Sequence, residues 1–205
     1  RYQAKYGKPF PTQLVDLKDG DCVFVDLDGN GYIDANDRTI IGDPLPNFTY
    51  GFNTSFSWKG LSLKVDFSGA YKFDIFNMNN LQDYSNLYSK NMRRDAFLKA
   101  WTPENTETDV PRFQYGDDYT GASSDRWLTS GSFLNLQNVN FGYTLPKKVT
   151  KKAGIEKLRV YAACENVWLW SARIGLDPRL SFTGSNNATT YSIVRTISGG
   201  INLTF

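Results

Sequence analysis

Five stretches of the chain alternate apolar and polar residues with a period of two, the signature of half-buried β-strands. Asn47–Trp58 sets Phe48, Tyr50, Phe52, Phe56 and Trp58 on one face, with Thr54 the only small member. Asn47, Thr49, Gly51, Asn53, Ser55 and Ser57 occupy the other. After Lys59-Gly60, Leu61–Tyr71 aligns Leu61, Leu63, Val65, Phe67 and Tyr71 against Lys64, Asp66 and Ser68. In Phe133–Leu145 the phase slips: Leu134 and Leu136 run in one register, Val139, Phe141 and Tyr143 in the other. One extra residue flips every later side chain, so a bulge is predicted near Asn138. Lys157–Trp168 groups Leu158, Val160, Ala162 and Cys164. The last stretch groups Ile193, Ile197, Ile201, Leu203 and Phe205, with Arg195 and Gly199 on the same row.

The connections alternate in length. A two-residue turn joins the first pair and an eleven-residue link, Pro146–Glu156, joins the third and fourth segments. The second and third are separated by about sixty residues and the last two by about two dozen, the short-turn, long-loop asymmetry of transmembrane β-barrels. Strands of this length cross a bilayer when tilted, and Trp58, Tyr71, Tyr143 and Trp168 at strand ends suit aromatic girdles. The predicted fold is all-β: about five C-terminal strands of a large antiparallel transmembrane barrel with long extracellular loops, because so few strands cannot close one. Residues 1–46 precede the strands as an extracellular segment; residues 47–205 hold the strands, with 72–132 and 169–192 as extracellular loops. Within the first of these, Ser89–Trp101 spaces Met92, Ala96, Ala100 and Trp101 as a helix that Pro103 stops. A secreted, calcium-stabilised β-sandwich binding carbohydrate or protein is the rival reading; it requires the apolar faces to turn inward.

Composition narrows the chemistry. Aromatic residues make up 15% of the chain, as β-rich proteins favour. Lys and Arg number 23 against 21 Asp and Glu, a balance that gives no reason to expect a nucleic-acid partner. There is no histidine, which removes His-based triads and zinc-protease sites, and no convincing carboxylate pair supports an enzyme. Cys22 and Cys164 form no C-x-x-C motif, although an oxidising compartment would allow them to pair. No run reaches the roughly eighteen apolar residues of a membrane-spanning helix. The chain opens on Arg1 and reads as a piece of a longer polypeptide.

One motif carries chemistry. Asp26-Leu-Asp28-Gly-Asn30-Gly31-Tyr32-Ile33-Asp34-Ala-Asn-Asp37 fits a twelve-residue calcium loop. Such a loop supplies hard oxygens from positions 1, 3, 5, 7, 9 and 12, here Asp26, Asp28, Asn30, the Tyr32 carbonyl, Asp34 and Asp37. Gly31 falls where the chain must turn sharply, and Ile33 offers an apolar anchor. Asp37 replaces the usual bidentate Glu, as in dockerin-like modules, so a structural Ca2+ is expected. Asn47, Asn53, Asn187 and Asn202 match the glycosylation pattern, but three lie in strands and chance explains them. Asp117 and Asp118 read as solvated loop charges; Trp101, Tyr115, Tyr119, Trp127 and Trp170 read as loop packing.

Several fragments occur together in order. Gly20-Asp21 and Phe24-Val-Asp26 lead into the acidic loop, followed by Asp37-Arg38-Thr39-Ile40-Ile41-Gly42 and Pro46-Asn47-Phe48-Thr49-Tyr50-Gly51-Phe52. Trp101-Thr102-Pro103, Pro111-Arg112, Phe133 to Val139, Gly142-Tyr143, Leu158 to Tyr161, Glu165-Asn166, Gly175-Leu-Asp177-Pro178 and Gly200 to Phe205 continue the series. The string resembles the C-terminal part of the SusC/RagA family of TonB-dependent outer-membrane transporters of Bacteroidetes. The resemblance implies a twenty-two-stranded barrel that imports glycans or peptides, with a SusD-like surface lipoprotein over its mouth. An inner-membrane TonB complex would energise it through an N-terminal part absent here. It also implies that outer-membrane lipid and the remainder of the barrel chain surround these strands, and that Phe205 closes an assembly signal.

Overall fold

The computed structural model describes residues 11, 17–84, 91–117, 119–172, 177–183 and 193–205. Among these residues seven strands form: β1 Phe48–Trp58, β2 Leu61–Tyr71, β3 Asp74–Phe76, β4 Leu128–Ser130, β5 Phe133–Thr144, β6 Lys157–Ser171 and β7 Thr196–Thr204. The five long ones make a single antiparallel sheet in the order β1-β2-β5-β6-β7, and β3 pairs with β4 as a short ribbon. Sequence neighbours are therefore spatial neighbours throughout, as in an up-and-down wall. Among the described residues, both edges, β1 and β7, have a neighbouring strand on one side only.

Local chemistry sets the turns and the register. Lys59 (φ 46°) and Gly60 (φ 91°) both take left-handed backbone, the requirement of a two-residue type I′ hairpin. A Cβ on Gly60 would also stand 2.5 Å from the Thr144 carbonyl oxygen. The predicted phase slip is real: Asp66 pairs with Asn138 and Phe67 with Leu136, so Gln137 is the bulged residue. On the other side Leu136 pairs with Trp168 and Asn138 with Glu165, and Asn166 absorbs the irregularity with φ 50°.

The register gathers like residues into rows. Thr54, Val65, Val139, Cys164 and Ile197 share one row across all five strands, and Trp58, Leu61, Tyr143, Val160 and Ile201 share another. The opposite face carries Asn53, Asp66, Asn138, Glu165 and Thr196 in line. Phe52 and Phe56 are 60% exposed and Ile197 77%. A sandwich would bury these side chains, so the rival fold fails on the face that should have been its core. Among the described residues the buried apolar cluster beside this sheet is small, consisting of Ala70, Phe73 and Ile75 with Phe133 against them.

Aromatic residues stand at both ends of the apolar face. Trp58 and Tyr143 flank Leu61 at the hairpin end, while Phe48 pairs with Tyr71 at the other, their rings 5.3 Å apart. An eleven-residue strand rises about 36 Å, which a tilt of about 40° reduces to roughly the 25 Å apolar band of a barrel.

The chain divides into two compact units, Arg1–Gly42 with Phe76–Leu128, and Asp43–Ile75 with Thr129–Phe205. The first contains short helices, α1 Met78–Tyr84 and α2 Arg94–Lys99; the second adds α3 Lys147–Thr150 in the link after β5. The helix expected over Ser89–Trp101 is thus six residues long, and residues 85–90 lie outside the described residues. It stops because Ala100 turns extended, bridges in parallel to Val110, and lets Trp101 donate its N–H to the Val110 carbonyl at 3.0 Å.

Candidate functional site

The acidic loop folds by satisfying its own backbone. Asp26, only 2% exposed, accepts the Gly29 N–H on Oδ1 at 2.6 Å and the Gly31 N–H on Oδ2 at 3.0 Å. Gly29 and Gly31 hold φ 80° and 88°, a conformation costly for residues bearing a Cβ. Asp37 accepts from Leu27 and Asp34 N–H, both at 2.7 Å, and so closes the loop ten residues from where it began. Asp34 caps the 3-10 turn Ala35–Asp37 by accepting from the Asn36 N–H.

The six predicted ligand residues are not gathered equally. Carboxylate oxygens of Asp26, Asp28 and Asp37 all lie within 4.8 Å of one another. Asn30 sits beside them: its amide Nδ2 donates to Asp28 Oδ2 at 3.0 Å and to Asp34 Oδ2 at 3.3 Å, and its Oδ1 accepts the Tyr32 N–H. Asp34 is therefore one hydrogen bond removed from the trio. The Tyr32 side chain is exposed. Three like charges this close repel unless neutralised, and an all-oxygen donor set suits a hard cation such as Ca2+.

Around the loop, the Arg112 guanidinium pairs with Asp21 and the Arg112 backbone N–H donates to the Gly20 carbonyl at 2.8 Å. Phe24 meets Tyr119 edge-on at 4.9 Å. Burial pushes the Tyr119 hydroxyl up to about 12 and the Cys22 thiol above its ordinary value of 9.0. Trp101 lies against Gly20, and the buried Trp127 donates its Nε1–H to the Ala122 carbonyl at 3.0 Å. Asp117 accepts from the Tyr119 and Thr120 N–H groups; Asp118 and Asn187 lie outside the described residues. Tyr115 is exposed, and Trp170 stands on the apolar face of the sheet. Both cysteines are free thiols, not a pair.

The polar face of the sheet is a second arrangement, which the alternation located only as a set of residues. Asn138 Nδ2 donates to Asp66 Oδ2 at 3.0 Å and Lys64 Nζ approaches the same oxygen at 3.1 Å. Arg159 donates to Ser62 Oγ at 3.2 Å. Asp66 Oδ1 and Asn135 Oδ1 are buried without a hydrogen-bond partner among the described residues. Which side chains would face one another depended on the bulge at Gln137, so no local sequence signal could pair Asn138 with Asp66.

A third cluster escaped sequence reading. Arg179 donates through Nε to both oxygens of the buried Asp177 at 2.9 and 3.0 Å, and through Nη1 to Asn166 Oδ1 at 3.0 Å. Asn166 Nδ2 donates in turn to the Val194 carbonyl at 3.1 Å. The left-handed residue of β6 thus ties the stretches on either side of residues 184–192 to the sheet.

No family model matches the chain. Among curated proteins, the TonB-dependent receptor P3 of Formosa agariphila is 34% identical over 219 residues, covering 100% of this chain and 21% of that protein. The TonB-dependent receptor P26 of the same organism is 31% identical over 91% of this chain. The TonB-dependent receptor SusC of Bacteroides thetaiotaomicron is 26% identical over 89% of it. The solved structure of the RagAB peptide importer in its closed-closed state superposes with a TM-score of 0.70 at 31% identity, over 88% of this chain and 20% of that one. The chain spans about a fifth of the length of the curated relatives it matches.

Proposed function

The chain belongs to the SusC/RagA family of TonB-dependent receptors as a C-terminal part of the β-barrel, and on that premise we propose that the full-length protein imports glycan or peptide nutrients across a bacterial outer membrane. A SusD-like lipoprotein covers the extracellular mouth, a TonB complex supplies energy, and the rest of the barrel chain pairs with β1 and β7. The observation that carries the reading is the two-faced wall, with exposed Phe, Trp, Ile and Val rows on one side and the Asn53–Asp66–Asn138–Glu165 row on the other. In a barrel the first faces lipid and the second the lumen.

The acidic loop belongs to the same account as a structural Ca2+ site held by Asp26, Asp28 and Asp37, with Asn30, Asp34 and the Tyr32 carbonyl completing it. The convergence of three carboxylates supports this. The ion would neutralise them and lock the loop; it takes no part in transport chemistry.

Deletion of the gene for the full-length receptor, followed by uptake of labelled oligosaccharides and oligopeptides, tests the function. Loss of uptake for one class supports import and names it. Unchanged uptake of both classes overturns the reading.

A further inference from the structure

We propose that Arg195 and Trp168 form a binding site for the phosphate of an anionic outer-leaflet lipid at the outer rim of the apolar wall. The inference rests on the barrel reading above. Arg195 immediately precedes β7 and continues the row of Ile197 and Ile201, so it falls on the same side as the lipid-facing residues. Its guanidinium lies 5.8 Å from the centre of the Trp168 ring. Trp168 is on that face by its pairing with Leu136, and its ring stands 6.4 Å from Trp170. A cation on a lipid-facing row costs several kcal/mol at the bilayer centre and little at the interface, so Arg195 marks where the apolar layer ends. The hairpin end of the wall finishes the same way, with Lys59 Nζ 4.9 Å from the Trp58 ring.

Arg195 meets no carboxylate partner among the described residues. The acids of this unit are placed elsewhere: Asp66 and Glu165 lie on the polar face, Asp177 holds Arg179, Glu156 sits at the opposite end of the strands, and Asp43 and Asp74 lie together beside the β1–β2 hairpin, the Asp43 N–H donating to Asp74. The lipid-facing rows themselves contain no Asp or Glu. A guanidinium stacked on Trp keeps its fork of N–H donors in plane, which matches two oxygens of one phosphate. Water alone would hydrate it in a detergent micelle; in a membrane, the groups at that depth are lipid headgroups.

The test uses the full-length receptor purified from outer membranes, as wild type, Arg195→Gln and Arg195→Lys. Each is exchanged into phosphatidylcholine nanodiscs containing a minor fraction of phosphatidic acid, and retained lipid is counted by native mass spectrometry. Wild type should retain phosphatidic acid about tenfold better than Arg195→Gln, with Arg195→Lys in between. Equal retention by all three overturns the site while leaving the barrel reading intact. Displacement by millimolar inorganic phosphate overturns a lipid as the occupant. Absence of the wild-type receptor from the outer-membrane fraction overturns the barrel reading, and the site with it.

Discussion

The Tyr50 hydroxyl donates a hydrogen bond to the Phe133 carbonyl at 3.1 Å, reaching across β2 to a strand 83 residues away in sequence. It can do so because Gly69, its direct partner on β2, has no side chain: a Cβ there would stand 2.3 Å from Tyr50 Cζ and 2.6 Å from the Phe133 oxygen. The ring covers the glycine, and three strands are fixed in register by one side chain.

Gly69→Ala should therefore destabilise the barrel by about 1–3 kcal/mol, since one of the atoms it meets is backbone and cannot rotate away. Tyr50→Phe should cost only about 1 kcal/mol, the worth of the hydrogen bond. Urea unfolding of the purified full-length receptor in detergent measures both. A Gly69→Ala variant as stable as wild type would show that Tyr50 does not occupy this position.

Replacing Asp26 and Asp28 together with Ala should abolish a calcium-dependent rise in thermal stability of the receptor. Wild type in excess Ca2+ should melt several degrees higher than after chelation, as binding to the native state alone requires. Identical melting of wild type with and without Ca2+ would remove the metal from the account.

Arg179→Ala should be among the costliest single changes in the second unit, about 3 kcal/mol or more, because it leaves the buried Asp177 carboxylate without its cation. Asn166→Ala should cost less, about 1–2 kcal/mol, through lost acceptor and donor contacts. Equal, negligible losses for both variants would mean that the cluster holds nothing in place.

Cys22 should react slowly. Burial disfavours its thiolate, so the neutral thiol is stabilised below the ordinary value of 9.0 and that contribution is lost as pH rises through and beyond it. Alkylation by iodoacetamide at pH 8, followed by peptide mass spectrometry, should proceed at least about tenfold slower than for a free peptide thiol. A peptide-like rate would place Cys22 at the surface.

The strands were legible because their two faces differ in polarity with a strict period of two, and even the Gln137 bulge showed as a phase slip between Leu136 and Val139. The compact acidic loop was legible because its side chains bond to backbone within the same twelve residues. Strand ends were less so: β6 runs on to Ser171 because Phe133 and Leu134 supply partners for Ser171 and Trp170. The short helices α1 and α3 carry no period to read at seven and four residues. The Asp66–Asn138 and Asn166–Arg179 contacts follow from a register set by residues far away in sequence, which no local pattern contains.

The central claim is that one face of this sheet meets lipid and the other water. Nitroxide labels on Phe52→Cys, Asn53→Cys, Phe56→Cys and Ser57→Cys in the membrane-embedded, full-length receptor test it directly by electron paramagnetic resonance. The labels at 52 and 56 should collide with dissolved oxygen, and those at 53 and 57 with a water-soluble nickel chelate. Labels at 52 and 56 shielded from both, or all four equally open to the chelate, would contradict the account.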